Sequence, residues 1–268
     1  MLRHRVLSAI FLIPAVLILL RLGDIPWLLT ILVVSLLSWR EMTNLLQRDH
    51  FAVDRLVGAA FVVACLGEAY IRAAGIVAAD LLRPLLASLI IISLIWALYD
   101  RSDRPTVNWA INVTSALYIG FLLGHFVSLR LRPAGWEWMM LALGVSWAND
   151  TMAYFIGSAW GRHKLWPRLS PKKTWEGWLG GAAGALIAGG LLTPFLVGVP
   201  AWLGILLGLL IACAATFGDL AVSLLKRMAQ VKDSSKLIPG HGGMLDRLDS
   251  LMFTVPIVTY FASVVSGA

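Results

Sequence analysis

The chain has 268 residues, 59% of them hydrophobic and 14% charged, with a formal net charge of +7 and a mean hydropathy of +0.80. A soluble domain carries about half apolar and about a quarter charged residues, so this balance excludes an ordinary water-soluble fold. It also turns the surplus of cations away from nucleic acid, because they punctuate apolar blocks of about 20 residues, the length that crosses roughly 30 Å of hydrocarbon as a helix.

The expected fold class is therefore all-α, a single polytopic integral membrane domain with nine transmembrane helices. Arg3 and Arg5 precede an apolar run that ends at Leu20. The run looks like a secretory leader, but no small-residue cleavage site follows, so it reads as a first membrane helix weakened at Pro14. The second block, 25–46, carries Arg40 and Glu41 near its end and is expected to emerge there into the interface. Blocks at 56–75, 81–99 and 107–129 follow, with Glu68 in the third and His125 in the fifth. An ionisable group at membrane depth raises a functional reading; an interhelical hydrogen bond is the plainer account of each. The sixth block covers 137–160, the seventh Trp175–Val197, the eighth Ala201–Met228 and the ninth 248–265. Gly177, Gly180, Gly181 and Gly184 open the seventh, and Gly204 and Gly208 stand at GxxxG spacing in the eighth. Such small residues let helices approach closely, which serves either packing within the chain or a homodimer. Cys65 and Cys213, the two cysteines, lie inside apolar blocks and give no disulfide framework or metal-ligand spacing.

With sides alternating, the 161–174 and 223–249 loops fall on the same face as the N-terminus. Of the 22 cations, only Arg21, Arg72, Arg83, Arg130 and Arg132 fall on the other face. The positive-inside rule then puts the N-terminus and both loops in the cytosol and the C-terminus outside. The expected location is the cell inner membrane.

Charge in the second half gathers in two stretches. The sixth block and the loop after it hold Asn149-Asp150, Tyr154, Gly157, Gly161-Arg162, Lys164 and Ser170-Pro171-Lys172-Lys173-Thr174-Trp175-Glu176-Gly177. Thr174 suits the cap of the seventh helix and Glu176 its first turn. Lys172 and Lys173 sit at the same helix N-terminus, where backbone N–H groups favour phosphate. Asp150, about 16 Å into the membrane at helical rise, needs a partner or a wet cavity.

The second stretch, 223–249, carries Lys226, Arg227, Lys232, Lys236 and Arg247 beside Asp233, Asp246 and Asp249, with Pro239-Gly240-His241-Gly242-Gly243 between them. The glycines turn tightly and can bring bare N–H groups to a ligand. Cations and N–H groups suit a polyphosphate, and carboxylates suit the hard divalent metal that accompanies it. Asp219, Ser223 and Lys226 share a helix face at i, i+4 and i+7, and Asp246 and Asp249 are expected to share one at i, i+3. For Asp219 the alternative is a structural Asp–Lys pair; for His241 the choices are general acid, pyrophosphate contact or mere loop residue. Arg227 and Lys236 also suit anionic lipid headgroups.

In order and spacing, Ser223, Lys226-Arg227, Lys232-Asp233, Ser235, His241-Gly242-Gly243, Asp246-Arg247 and Asp249 resemble the signature of the phosphatidate cytidylyltransferases, the CDP-diacylglycerol synthases. The 146–177 stretch resembles a second region typical of that family; the first five blocks carry no motif. The resemblance implies transfer of CMP from CTP to phosphatidate with release of pyrophosphate. Asp219 and Asp246 are expected to ligate Mg²⁺, with Asp249 as a further ligand or just behind them, and Asn149 and Asp150 to line the same cavity through the nucleotide or a second cation. Lys226, Lys232 and His241 would join them in catalysis. Lys172, Lys173, Ser223, Arg227, Arg247, Gly242 and Gly243 would bind CTP and phosphatidate. The implied partners are these substrates and membrane lipids. A CTP-dependent membrane lipid kinase would release CDP instead, and an ion transporter would use the intramembrane acids without nucleotide. The absence of Walker A, H-E-x-x-H and G-x-S-x-G motifs disfavours soluble kinases and hydrolases.

Overall fold

The computed structural model describes residues 14–77, 81–237 and 242–266. Residues 14–21 are helical and form the described part of α1. There follow α2 (Asp24–Arg48), α3 (Arg55–Ala73), α4 (Leu82–Ala97), α5 (Pro105–Leu131) and α6 (Gly135–Trp160). A hairpin of β1 (Lys164–Trp166) and β2 (Ser170–Thr174) leads to α7 (Trp175–Val197), α8 (Ala201–Met228), the one-turn α9 (Leu245–Leu248) and α10 (Leu251–Ser266). Each expected block is matched by a helix where it is described. Five of these, α2, α3, α5, α7 and α8, are long and apolar enough to cross a membrane, and α4 and α10 are shorter apolar helices. With 26 residues, α6 has the length to cross, while polar residues such as Asn149 and Asp150 dilute its apolar character.

The helix ends follow local chemistry. Asp54 caps α3, its Oδ1 accepting from Leu56 N at 2.9 Å and Val57 N at 3.0 Å, and α5 starts on Pro105, whose missing N–H costs nothing there. Thr174 Oγ1 accepts from Gly177 N at 3.1 Å to start α7, which stops at Gly198 with φ 69°.

The chain forms two compact units, one from Met1–Arg132 with Met228–Asp246 and one from Pro133–Arg227 with Arg247–Ala268. In the first, α2, α3 and α5 pack about Phe61, Leu66, Ile119 and Leu123. Trp27 Nε1 donates to Phe126 O at 2.9 Å, tying α2 to α5. The two intramembrane groups of this unit find partners on their own helices: Glu68 pairs with Arg72 at 3.1 Å, and His125 Nδ1 lies 2.9 Å from Phe121 O.

In the second unit α6 packs along α7, and the small residues are consumed there. A Cβ on Gly181 would lie 2.9 Å from Asn149 O, and one on Gly177 3.0 Å from the Gly157 Cα. Along α8, a Cβ on Gly208 would strike the Ala185 carbonyl and one on Gly204 the Gly189 carbonyl. Of the two uses open to these glycines, packing within the chain is the one observed. Gly208→Val is accordingly expected to cost about 2–4 kcal/mol through forced separation of α7 and α8, read as a lower thermal midpoint in detergent; an unchanged midpoint would contradict this crossing.

Candidate active site

In the second unit a cavity of about 480 Å³ is lined by residues of several elements. Asn149, Asp150, Tyr154 and Gly157 come from α6, Lys172 and Lys173 from β2, Thr216 and Asp219 from α8, and Asp249 and Ser250 from the turn before α10. A hairpin was not expected between α6 and α7. It is antiparallel, with Lys164 opposite Thr174 and Trp166 opposite Ser170. Glu176 fixes its entry, accepting from Arg162 N at 3.1 Å and lying 2.6 Å from His163 Nδ1. Arg227 Nε donates to Leu169 O at 3.3 Å at its tip. The two lysines are thus held by a braced loop at the mouth of the cavity.

Opposite charges meet inside. Lys173 Nζ lies 2.7 Å from Asp219 Oδ2, and Ser223 Oγ donates to Asp219 Oδ1 at 3.2 Å. Asn149 Nδ2 donates to Asp150 Oδ1 at 3.1 Å. Asp249 Oδ1 accepts from Ser250 N at 2.8 Å. Asp150, Asp219 and Asp249 lie within electrostatic reach of one another, with Lys173 and Arg247 acting on Asp150 and the buried Lys226 on Asp249. Asp249 sits in the turn between α9 and α10. Burial first, and the Asp219 carboxylate next, push its carboxyl well above the ordinary carboxylate range. Acids crowded this way call for cations. Among the described residues no three His, Cys, Asp or Glu side chains group closely enough to hold a metal ion alone. The donor set fits a Mg²⁺ that takes one or two carboxylates and completes its shell with substrate phosphates and water.

The signature loop in the first unit is organised differently from expectation. Asp246 Oδ2 accepts from Ser234 N at 2.8 Å, Ser234 Oγ at 2.9 Å and Gly243 N at 2.9 Å. Gly242, with φ 81°, lies so close that a Cβ there would come 2.7 Å from Asp246 Oδ2. The helical i, i+3 relation between Asp246 and Asp249 is not formed, because α9 ends at Leu248 and α10 begins at Leu251. The N–H of Gly243, expected to face phosphate, faces this carboxylate. Lys232 and Lys236 are exposed. His241 lies outside the described residues.

A second carboxylate holds the same loop, and sequence reasoning missed it. Glu41 of α2 is 4% exposed. Its Oε2 accepts from Ser234 Oγ at 2.8 Å and Leu245 N at 2.9 Å, and its Oε1 from Ser235 Oγ at 2.6 Å and Met244 N at 2.9 Å. Instead of emerging into the interface, Glu41 is buried as the acceptor that closes the loop. The one signal available was a lone acid near the end of an apolar block that carries no other function.

Residues 3–265 match the sequence model of the cytidylyltransferase family. The chain is 35% identical over 264 residues to the phosphatidate cytidylyltransferase of Brucella abortus, covering 98% of this chain and 94% of that protein. It is 30% identical over 256 residues to the protein of the same name from Staphylococcus haemolyticus, covering 95% and 96% of the two. The first five helices, without a motif of their own, fall inside both alignments.

Proposed function

This chain belongs to the cytidylyltransferase family, and on that premise we propose that it transfers CMP from CTP to phosphatidate, giving CDP-diacylglycerol and pyrophosphate. A phosphate oxygen of phosphatidate forms the new bond to the α-phosphorus of CTP. The bond from that phosphorus to the β-phosphate breaks, and pyrophosphate leaves with the electron pair. The nucleophile is already an anion, so no activated serine or cysteine is required. The protein has to bring two anions together in line and offset their charge.

The observation that carries this reading is the cavity where Lys172 and Lys173 meet Asp219, Asp150 and Asp249. A phosphate arriving at Lys173 competes with Asp219 for the same ammonium. Lys173 would then neutralise the phosphate and leave the Asp219 carboxylate able to hold a cation. Mg²⁺ at Asp219, with Asp249 as a further ligand, would supply charge neutralisation at the phosphates; Asp246, whose Oδ2 is taken up by Ser234 and Gly243, is left out of that ligand set. Asn149 and Asp150 would serve the nucleotide or a second cation. Lys226, Arg227 and Arg247 would add positive charge, and Ser223 would orient Asp219. We place the N-terminus and the two charged loops in the cytosol of the inner membrane and the C-terminus outside, from the distribution of arginine and lysine. A homodimer would use faces other than the glycine seams of α7 and α8.

The test is pyrophosphate release by the purified chain in detergent with CTP, phosphatidate and Mg²⁺. Release is expected only when both substrates and the metal are present, and chelation should abolish it. CDP in place of pyrophosphate would identify a lipid kinase; ion uptake into liposomes without CTP would identify a transporter.

A further inference from the structure

The first unit holds a second cavity of about 480 Å³, and the transfer reaction uses none of its residues. It lies where the α2–α3 and α4–α5 connections meet, lined by Asp54, Trp96, Tyr99, Asp100, Trp109 and Asn112 among others. Its walls are fixed. Trp96 Nε1 donates to Asp54 Oδ2 at 2.8 Å and Trp109 Nε1 to Ser93 Oγ at 2.9 Å. Asp100 accepts from Ser102 N and Ser102 Oγ, both at 2.9 Å, and Asn108 Oδ1 accepts from Ala52 N at 3.2 Å.

Two features of this cavity are unspent. Neither Asp54 nor Asp100 has a cationic partner among the described residues, and the Ser102 backbone N–H and hydroxyl hold the Asp100 carboxyl below its ordinary range, so it stays ionised. Asn112 is 6% exposed, and its Oδ1 meets no donor. A buried acceptor left without a donor lowers stability. Carboxylates without cations, aromatic walls and an orphaned acceptor together ask for a positive group that carries N–H donors.

The surroundings say where it comes from. Trp96, Leu98 and Tyr99, at the end of α4, are 58%, 79% and 78% exposed. Tryptophan and tyrosine at the end of an apolar helix mark the level of lipid headgroups. Arg101 and Arg104, both exposed on the adjoining loop, suit the phosphate that stands beside a headgroup amine.

We propose that this cavity binds the primary ammonium of a phospholipid headgroup, of the ethanolamine kind, with Asp54, Asp100 and Asn112 as acceptors and the aromatic rings as walls. A quaternary choline headgroup offers no N–H and would leave Asn112 Oδ1 unpaired. An anionic glycerol headgroup would face two carboxylates. The site therefore discriminates among lipids by the hydrogens on the amine. The inference is independent of the transfer reaction.

Native mass spectrometry of the full chain in detergent, titrated with phosphatidylethanolamine, phosphatidylcholine and phosphatidylglycerol of matched acyl chains, tests it. Phosphatidylethanolamine is expected to bind at least about tenfold more tightly than the other two, the effect of one charge-assisted contact. Asp100→Asn, in an exposed loop, and Asn112→Leu should each remove most of that preference, with pyrophosphate release by Asp100→Asn at the wild-type rate as the check that the chain is folded. Equal binding of the three lipids, a preference for phosphatidylglycerol, or an unchanged preference in Asp100→Asn would overturn the site. Competition by free ethanolamine at equal concentration would overturn the lipid as its source.

Discussion

Asp219→Asn is expected to lower kcat for pyrophosphate release by at least about 100-fold, the loss typical of removing one preorganised charge from a phosphoryl or acyl site, while the thermal midpoint stays level or rises. Both halves follow from the same contacts. Asp219 Oδ2 is 2.7 Å from Lys173 Nζ, and both side chains are partly open to solvent, so the pair itself contributes little to stability. Its carboxylate works against Asp249, which it raises through repulsion, and lines the same cavity as Asp150. Replacing it by a neutral isostere of the same volume keeps the Ser223 contact and removes that repulsion. A site that gains stability when its charge is deleted is one where charge serves function. Steady-state kinetics with a parallel melting curve decide the matter. A large fall in midpoint would mean that Asp219 is a structural partner of Lys173. Wild-type kcat would remove it from the reaction altogether.

The helices were legible because apolar block length is a strong signal and the caps are local. The expected and observed limits of α7 coincide, Trp175–Val197, since Thr174 and Gly198 mark both ends within the sequence itself. The cavity residues were legible for a related reason: Asn149, Asp150, Lys172, Lys173, Asp219 and Asp249 are polar groups that an apolar chain has no other use for. The hairpin was not legible. Strands of three and five residues carry too short a period to read, and Pro171 reads as a break in helix although it also suits an edge strand. The Asp246–Asp249 relation failed for want of a helix to carry it. Asp246 instead turns its Oδ2 to Ser234 and Gly243. Glu41 was illegible for a topological reason. Its hydroxyl partner Ser234 lies 193 residues further along the chain, and no local pattern reports a bond across that separation.

That long-range acceptor supports the largest structural prediction. Glu41→Ala is expected to destabilise the chain by about 3–5 kcal/mol, since each buried donor left without an acceptor costs about 1–3 kcal/mol, and to free the signature loop at 234–245. Three donors lose their acceptor at once, Ser235 Oγ, Met244 N and Leu245 N, while Ser234 Oγ is left with Asp246 Oδ2 alone. Asp246 still accepts from Ser234 N and Gly243 N, so the loop loses one of its two anchors and keeps the other. Glu41→Gln separates charge from shape. Its carbonyl oxygen can still serve two of the donors, but its amide turns N–H groups toward the other two, and it should fall between wild type and alanine. Hydrogen exchange read peptide by peptide resolves the effect. Met244 and Leu245 amides should lose protection in both variants, more in alanine, while α3 and α5 keep theirs beyond the global shift. Equal loss across the whole first unit would mean that Glu41 supports the helices in general. Unchanged protection at 244–245 would mean that Asp246 alone suffices. The first pattern would establish that a residue from a motif-free N-terminal helix holds the loop on which the family signature is written.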